Sequence, residues 1–312
     1  MVGVANHSRV ENDAFVALAK HFKGIGLPVP EIYTYRPKWG VYLEEDLGET
    51  TLLDFLNAER MRSGERFPSS VEAAYAQVLE FLPRFQIEAA ATLDFSLCIS
   101  PNNFFSETLL RDMLSFSSEL VGRLLPAYDT NSLTKDFATL VSHLEKATSH
   151  YFLYRDFQSR NIMLVRGRPV FIDFQSGLKG PLQYDVISLL YQSSAQIPDE
   201  YREALVEGYL KAVANYAPCD RTEFFRYYPA FIISRMLQVL GVYGRQGLGA
   251  KKEYFIRSIP AALTTLTQQL RSPHLTIKLD ELLACSETLL ESAEKDALNE
   301  SNDIRRRHRI PP

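Results

Sequence analysis

Tyr154-Arg155-Asp156-Phe157-Gln158-Ser159-Arg160-Asn161-Ile162, followed by Val170-Phe171-Ile172-Asp173-Phe174-Gln175, is the stretch on which the reading of this chain turns. Around it, Tyr151 to Tyr154, Ile162 to Val165 and Val170 to Ile172 are brief apolar runs rich in β-branched and aromatic residues, the pattern of short buried strands. Arg166-Gly167-Arg168-Pro169 is a tight turn joining the last two into a hairpin. A carboxylate at Asp156, an amide five positions on at Asn161, and a second carboxylate at Asp173 at the end of the next hairpin strand can therefore converge on one point.

Upstream, Val2 to Ala5 reads as a strand and Val10 to Phe22 as a helix, because Phe15, Leu18, Ala19 and Phe22 recur on one face at helical spacing. Gly24, Gly26, Pro28 and Pro30 end that helix. Ile32 to Tyr35 and Val41 to Glu44 are extended pieces about a turn at Pro37 to Gly40. From Thr51 the apolar period becomes helical, and after the hairpin helices resume from Tyr184 to about Ala293. The expected organisation is α+β: residues 1–48 a partial β-rich lobe, 49–298 a mostly helical lobe carrying the hairpin, and 299–312 a polar then basic tail.

The 312 residues are 46% hydrophobic and 23% charged, as in an ordinary globular protein. A net charge of -4 argues against a general DNA or RNA binder, which needs a basic surface; the cluster Arg305, Arg306, Arg307, His308, Arg309 is a local exception. Cys98, Cys219 and Cys285 fall in no Cys-x-x-Cys or His/Cys ligand spacing, which leaves zinc and redox chemistry without support and fits a reducing cytoplasm. No apolar run is long enough to span a bilayer, so no membrane is expected.

Phosphoryl transfer needs such a constellation. One aspartate accepts a hydrogen bond from the attacking hydroxyl, while an amide oxygen and another carboxylate hold Mg²⁺ against the phosphate oxygens. In order, spacing and strand context these residues resemble the protein-kinase-like superfamily, whose pattern is His-Arg-Asp, Asn five residues later, then Asp-Phe-Gly. Tyr154 stands for the His, which removes a structural prop, and Gln175 stands for the Gly, which argues against a flipping switch. Only Gln175 to Gln183 separates Asp173 from the next helix, too short for the platform on which protein kinases hold a peptide, so a small-molecule acceptor is expected.

Within that superfamily the chain resembles the aminoglycoside phosphotransferase family, and most its branch of bacterial N-acetylmuramate/N-acetylglucosamine kinases. Besides the loop and hairpin, the resemblance is carried by Glu11-Asn12-Asp13-Ala14-Phe15, Leu27 to Glu31, Leu43-Glu44-Glu45-Asp46-Leu47-Gly48, Tyr184-Asp185 and Leu237 to Tyr243. It implies a protein-kinase-like bilobal fold with a truncated β-rich N-lobe and a mostly helical C-lobe. It also implies transfer of the ATP γ-phosphate to a sugar or amino-sugar hydroxyl, with Asp156 the catalytic base, Asn161 and Asp173 the Mg²⁺ ligands, and backbone groups of Glu44 and Asp46 meeting adenine. Arg160 is a candidate brace for the transferred phosphate or a surface arginine paired with a nearby acid.

Kinases grip the triphosphate with a glycine-rich loop and a strand lysine. No glycine-rich loop precedes Val2, and Asn6 stands near the lysine's position, although the sugar-kinase branch manages without that lysine. The expectation divides between an active enzyme truncated at its N-terminus and an inactive pseudokinase-type module binding nucleotide or protein. Some relatives continue into a domain of the RNase-adapter type, so a further C-terminal domain is expected in a full-length protein. Glu11 reads first as a favourable helix N-terminal charge, Asp185 as a helix cap or a brace of the catalytic loop, and His143 and His150 as structural. Arg235, Tyr243 and Arg245 are sugar contacts or surface residues.

Overall fold

The computed structural model of the chain describes residues 1–99, 105–125 and 127–307, with side chains up to residue 293; the basic cluster at 305–309 lies outside the described side chains. In order the elements are β1 (Val2–Ala5), α1 (Arg9–Gly24), β2 (Ile32–Arg36), β3 (Val41–Glu44), α2 (Leu52–Ser63), α3 (Ser69–Pro83), α4 (Phe105–Phe116), α5 (Gly122–Leu124) and α6 (Thr130–Leu144). There follow β4 (Tyr151–Leu153), β5 (Ile162–Val165), β6 (Arg168–Phe171), β7 (Leu178–Gly180), α7 (Leu182–Leu190), α8 (Asp199–Val213), α9 (Arg221–Tyr243), α10 (Glu253–Leu270) and α11 (Asp280–Arg307). No helix among the described residues is long and apolar enough to cross a membrane.

The chain forms two compact units, Met1–Phe105 with Ala147–Phe224, and Ser106–Lys146 with the chain from Phe225 onward. In the first unit the strands pair antiparallel as β1-β3-β2, β4-β7 and β5-β6. Helix α1 begins where the Ser8 hydroxyl accepts the Glu11 N–H, a local N-cap. It buries Phe15, Leu18, Ala19 and Phe22 as their spacing requires. The Phe22 ring meets Phe85, Phe152 and Phe174 edge-on at 5.0–5.3 Å, and burying each such ring contributes roughly 1.5–3 kcal/mol.

The β5-β6 hairpin turns on two residues, not four. Arg166 and Gly167 take φ of 52° and 75°, the left-handed pair that matches strand twist, so Arg168 and Pro169 already belong to β6. Pro169 is tolerated because Leu164 opposite it sends its N–H to Thr50 O, and the ladder needs no proline donor. The segment Gln175 to Gln183 also differs from the expected plain loop, since Leu178–Gly180 forms β7 against β4. Gly177 makes that approach possible: a Cβ there would lie 2.3 Å from the Phe152 ring.

The second unit is helical. Leu133, Phe137, Leu140 and Leu144 of α6 are buried, and the α11 backbone is tied to α6 where Leu282 N donates to Asp136 Oδ2 at 2.9 Å. A π-helical stretch at Ser117–Val121 faces another at Gly244–Gly249, and a Cβ on Gly244 would sit 2.4 Å from Glu119 O.

Candidate active site

The loop that carries Asp156 is fixed from behind by Asp185, on α7 and fully buried. Its carboxylate accepts Tyr154 N at 2.8 Å, Arg155 N at 2.9 Å and the amide Nε2 of Gln86 at 3.2 Å. Gln86 comes from a π-helical turn after Pro83 and in turn accepts the Tyr209 hydroxyl at 2.5 Å. Arg155 sits at φ 73°, a strained region for a side-chain-bearing residue, and the Asp185 bond to its N–H holds it there. Asp185 therefore braces the loop that carries Asp156.

Tyr154 does not remove the expected prop; it supplies another. Its ring packs among Phe85, Phe157 and Phe174, and its hydroxyl donates to Ile172 O at 2.6 Å. That contact anchors the residue next to Asp173. Burial, reinforced by Asp173, Asp185 and Asp156, pushes its phenol well above the usual value, so it stays protonated and donates.

Pairing of Ile162 with Phe171 at the hairpin base puts Asn161 beside Asp173. The Asn161 Nδ2 donates to Asp156 O and to Asp173 Oδ2, both at 2.9 Å, so both amide hydrogens are committed and the orientation of the group is fixed. Asp173, at φ 68°, also accepts Gln175 Nε2 at 2.8 Å. Burial, then the charge of Asp156, raises the Asp173 carboxyl above the ordinary carboxylate range, while Gln175, Arg160 and Asn161 offset part of the rise. The Gln175 Oε1 is buried with no hydrogen-bond partner among the described residues. A fixed amide, a carboxylate short of positive charge and an unpartnered buried oxygen form a hard-oxygen donor set of the kind that suits Mg²⁺.

Asn161, Asp173 and Gln175 line a cavity of about 260 Å³ together with Asn6, Glu11, Asn12, Phe15, Tyr42, Glu44 and Ile172. Glu44 is among the residues that line it. Asp46 does not line it, and its carboxylate instead accepts Gly48 N at 3.0 Å. Asp156 reaches the group through its backbone oxygen and its charge, and its Oδ1 accepts a long 3.4 Å bond from Gln158. Arg160 is exposed, makes no ion pair with any described acid, and its charge acts on Asp173. The paired-arginine reading of Arg160 thus has no counterpart here.

At the opposite wall Asn6 Nδ2 donates to Glu11 Oε2 at 3.1 Å, an amide standing where the kinase pattern has a lysine. Asn12, buried on α1, donates to Asn6 O at 3.0 Å and Gly40 O at 3.2 Å and so locks β1 to the β2-β3 turn. Sequence reasoning assigned no role to Asn12, Tyr42, the Gln175 amide or the Glu44 side chain. The one signal available was Tyr42 and Glu44 sharing a face of β3 at period two. Arg235, by sequence a sugar contact or a surface residue, is buried in the second unit and donates to Gln238 Oε1 at 2.8 Å.

A family model described as the phosphotransferase enzyme family matches residues 4–220. The chain is similar to the N-acetylmuramate/N-acetylglucosamine kinase of Neisseria meningitidis serogroup B, 31% identical over 245 residues, covering 76% of this chain and 69% of that protein. It is also similar to the protein of the same name from Pseudomonas aeruginosa, 27% identical over 279 residues, covering 86% and 77%. Among solved structures it resembles choline kinase LicA from Streptococcus pneumoniae, with a TM-score of 0.57, 12% identity and 85% of each chain covered. It also resembles the gentamicin complex of APH(2")-IIa, with a TM-score of 0.53, 14% identity, and 88% of this chain and 83% of that one covered. At those identities the likeness is one of fold, which is α+β and protein-kinase-like.

Proposed function

The chain belongs to the phosphotransferase enzyme family, and from that premise we propose that it transfers the terminal phosphoryl group of ATP to a hydroxyl of a small sugar or amino-sugar acceptor. The observation that carries the proposal is the Asn161 amide, which ties the Asp156 backbone to the Asp173 carboxylate at the edge of one cavity. The sugar-like acceptor is supported by the names of the relatives alone.

Asp156 orients the acceptor hydroxyl and takes its proton as the new oxygen-phosphorus bond forms and the bond to the leaving ADP breaks. Asn161 and Asp173 would hold Mg²⁺, which supplies charge neutralisation at the phosphate oxygens. Arg160, exposed and unpaired beside Asp173, braces the phosphate in flight. Backbone groups of Glu44 and Asp46 receive the adenine ring. Few groups suffice because positioning and electrostatics dominate a loose transition state.

The test is an ATP-consumption screen against sugars, amino sugars and aminoglycosides. Asp156→Ala should lower turnover by about 10²–10⁴ with an unchanged melting temperature; full turnover in that variant would discard the assignment. A second reading is favoured by the cavity wall itself, whose lining residues include Glu11, Glu44 and Asp173 but no lysine or arginine. Under it the chain is a pseudokinase-type module that binds nucleotide or a protein without chemistry, and calorimetry would detect Mg-ATP binding with no phosphorylated product for any acceptor.

A further inference from the structure

Glu44 closes β3, and with Tyr42 it faces the cavity bearing Asn161 and Asp173. Its Oε2 is buried and has no hydrogen-bond partner among the described residues. Burial raises its carboxyl above the ordinary range, the sign of a charge short of donors. A buried carboxylate oxygen left without a donor is costly, so a partner is called for.

No lining side chain donates to it, the Tyr42 hydroxyl included. Asn12 commits both amide hydrogens to Asn6 O and Gly40 O, and Asn161 commits both to Asp156 O and Asp173. Asn6 and Gln175 each aim one at Glu11 and Asp173 respectively. No lysine or arginine lines the cavity, and Lys23 is engaged by Glu31 and Glu45. The missing donor therefore arrives with the ligand.

We propose that Glu44 selects the base of the phosphate donor, its Oε2 accepting a hydrogen from the exocyclic amine of adenine. The inference rests on ATP binding in this cavity, as proposed above. A purine without the amine offers the carboxylate nothing at that edge, and a base with a carbonyl there sets lone pairs against it. Sites built to receive a donor discriminate strongly against analogues that lack it, because the buried acceptor is then stranded.

The experiment is calorimetric titration of the full chain with the Mg complexes of ATP, purine riboside triphosphate, inosine triphosphate and 2′-deoxy-ATP. The wild type should prefer ATP to purine riboside triphosphate by about ten-fold or more, as for a hydrogen bond to a charged group. Glu44→Leu should bind those two within about two-fold of each other. Glu44→Gln, nearly isosteric and able to donate to a carbonyl, should bind inosine triphosphate more tightly than the wild type does. An ATP preference equal in wild type and Glu44→Leu would overturn the inference while leaving ATP binding intact. So would a 2′-deoxy-ATP penalty that vanishes in Glu44→Leu, because the carboxylate would then be reading ribose. No binding of any nucleotide by the wild type would sink the reading of the cavity and this inference together.

Discussion

In the first compact unit a network of buried polar groups backs the loop that carries Asp156, from Tyr209 through Gln86 to Asp185 and on to the Tyr154 and Arg155 backbone. In the second unit Arg235 donates to Gln238 and Thr267 to Ser286, and the helices meet through apolar side chains and bare backbone at Gly244. A loop that keeps Arg155 and Asp173 at positive φ needs directional bonds, because hydrophobic contact does not fix a torsion. Packed helices need only shape. The first arrangement is specific and brittle, the second more forgiving.

Asp185→Ala is the hardest blow to that contrast. It strands two loop N–H groups and the Gln86 amide, and should cost about 3–5 kcal/mol in urea unfolding. A loss under about 1 kcal/mol would mean the network adds little. Gly244→Ala presses a methyl onto the Glu119 backbone and should cost about 1–3 kcal/mol, since the second unit relaxes by sliding; a cost matching that of Asp185→Ala would break the distinction.

His143 gives a finer test. It is buried in the second unit with Nε2 unpartnered, and burial, then Lys146, pulls its pKa below the usual histidine value. The unfolded chain therefore takes up the proton first as pH falls through about 6.5, and stability is lost from there down to the folded-state pKa. Comparing urea midpoints at about pH 7.5 and 5.5, the wild type should lose more than His143→Gln. The smallest effect is expected at the exposed rim of the first unit. Asn6→Lys would give Glu11 a cation and should raise Mg-ATP affinity by no more than about five-fold, because exposed pairs are weak. A far larger gain, read by calorimetry, would show that the rim is as directional as the loop.

Most of what surrounds Asp156, Asn161 and Asp173 was legible, because strand, turn and amide lie within twenty positions and each local signal agrees. β7 was not, since three residues flanked by Gly177 show no period and exist only through β4. The knot of Asn6, Asn12 and Gly40 spans too much chain for spacing to reveal it. The place of Glu44 in the cavity wall was hidden for a different reason: all four residues of β3 are half-buried, so alternation does not say which face is inner. Tyr154 misled because substitution of the expected His removes one hydrogen-bonding ring and installs another with longer reach.

The exposed tip at Arg166-Gly167 lies four residue pairs from the hairpin base, about 13 Å along the strands. It is a natural place for a spin label or fluorophore. A reporter attached there would ride on the same rigid ribbon as Asn161 and Asp173 while staying clear of their chemistry, and its signal would time the settling of the ribbon as nucleotide arrives.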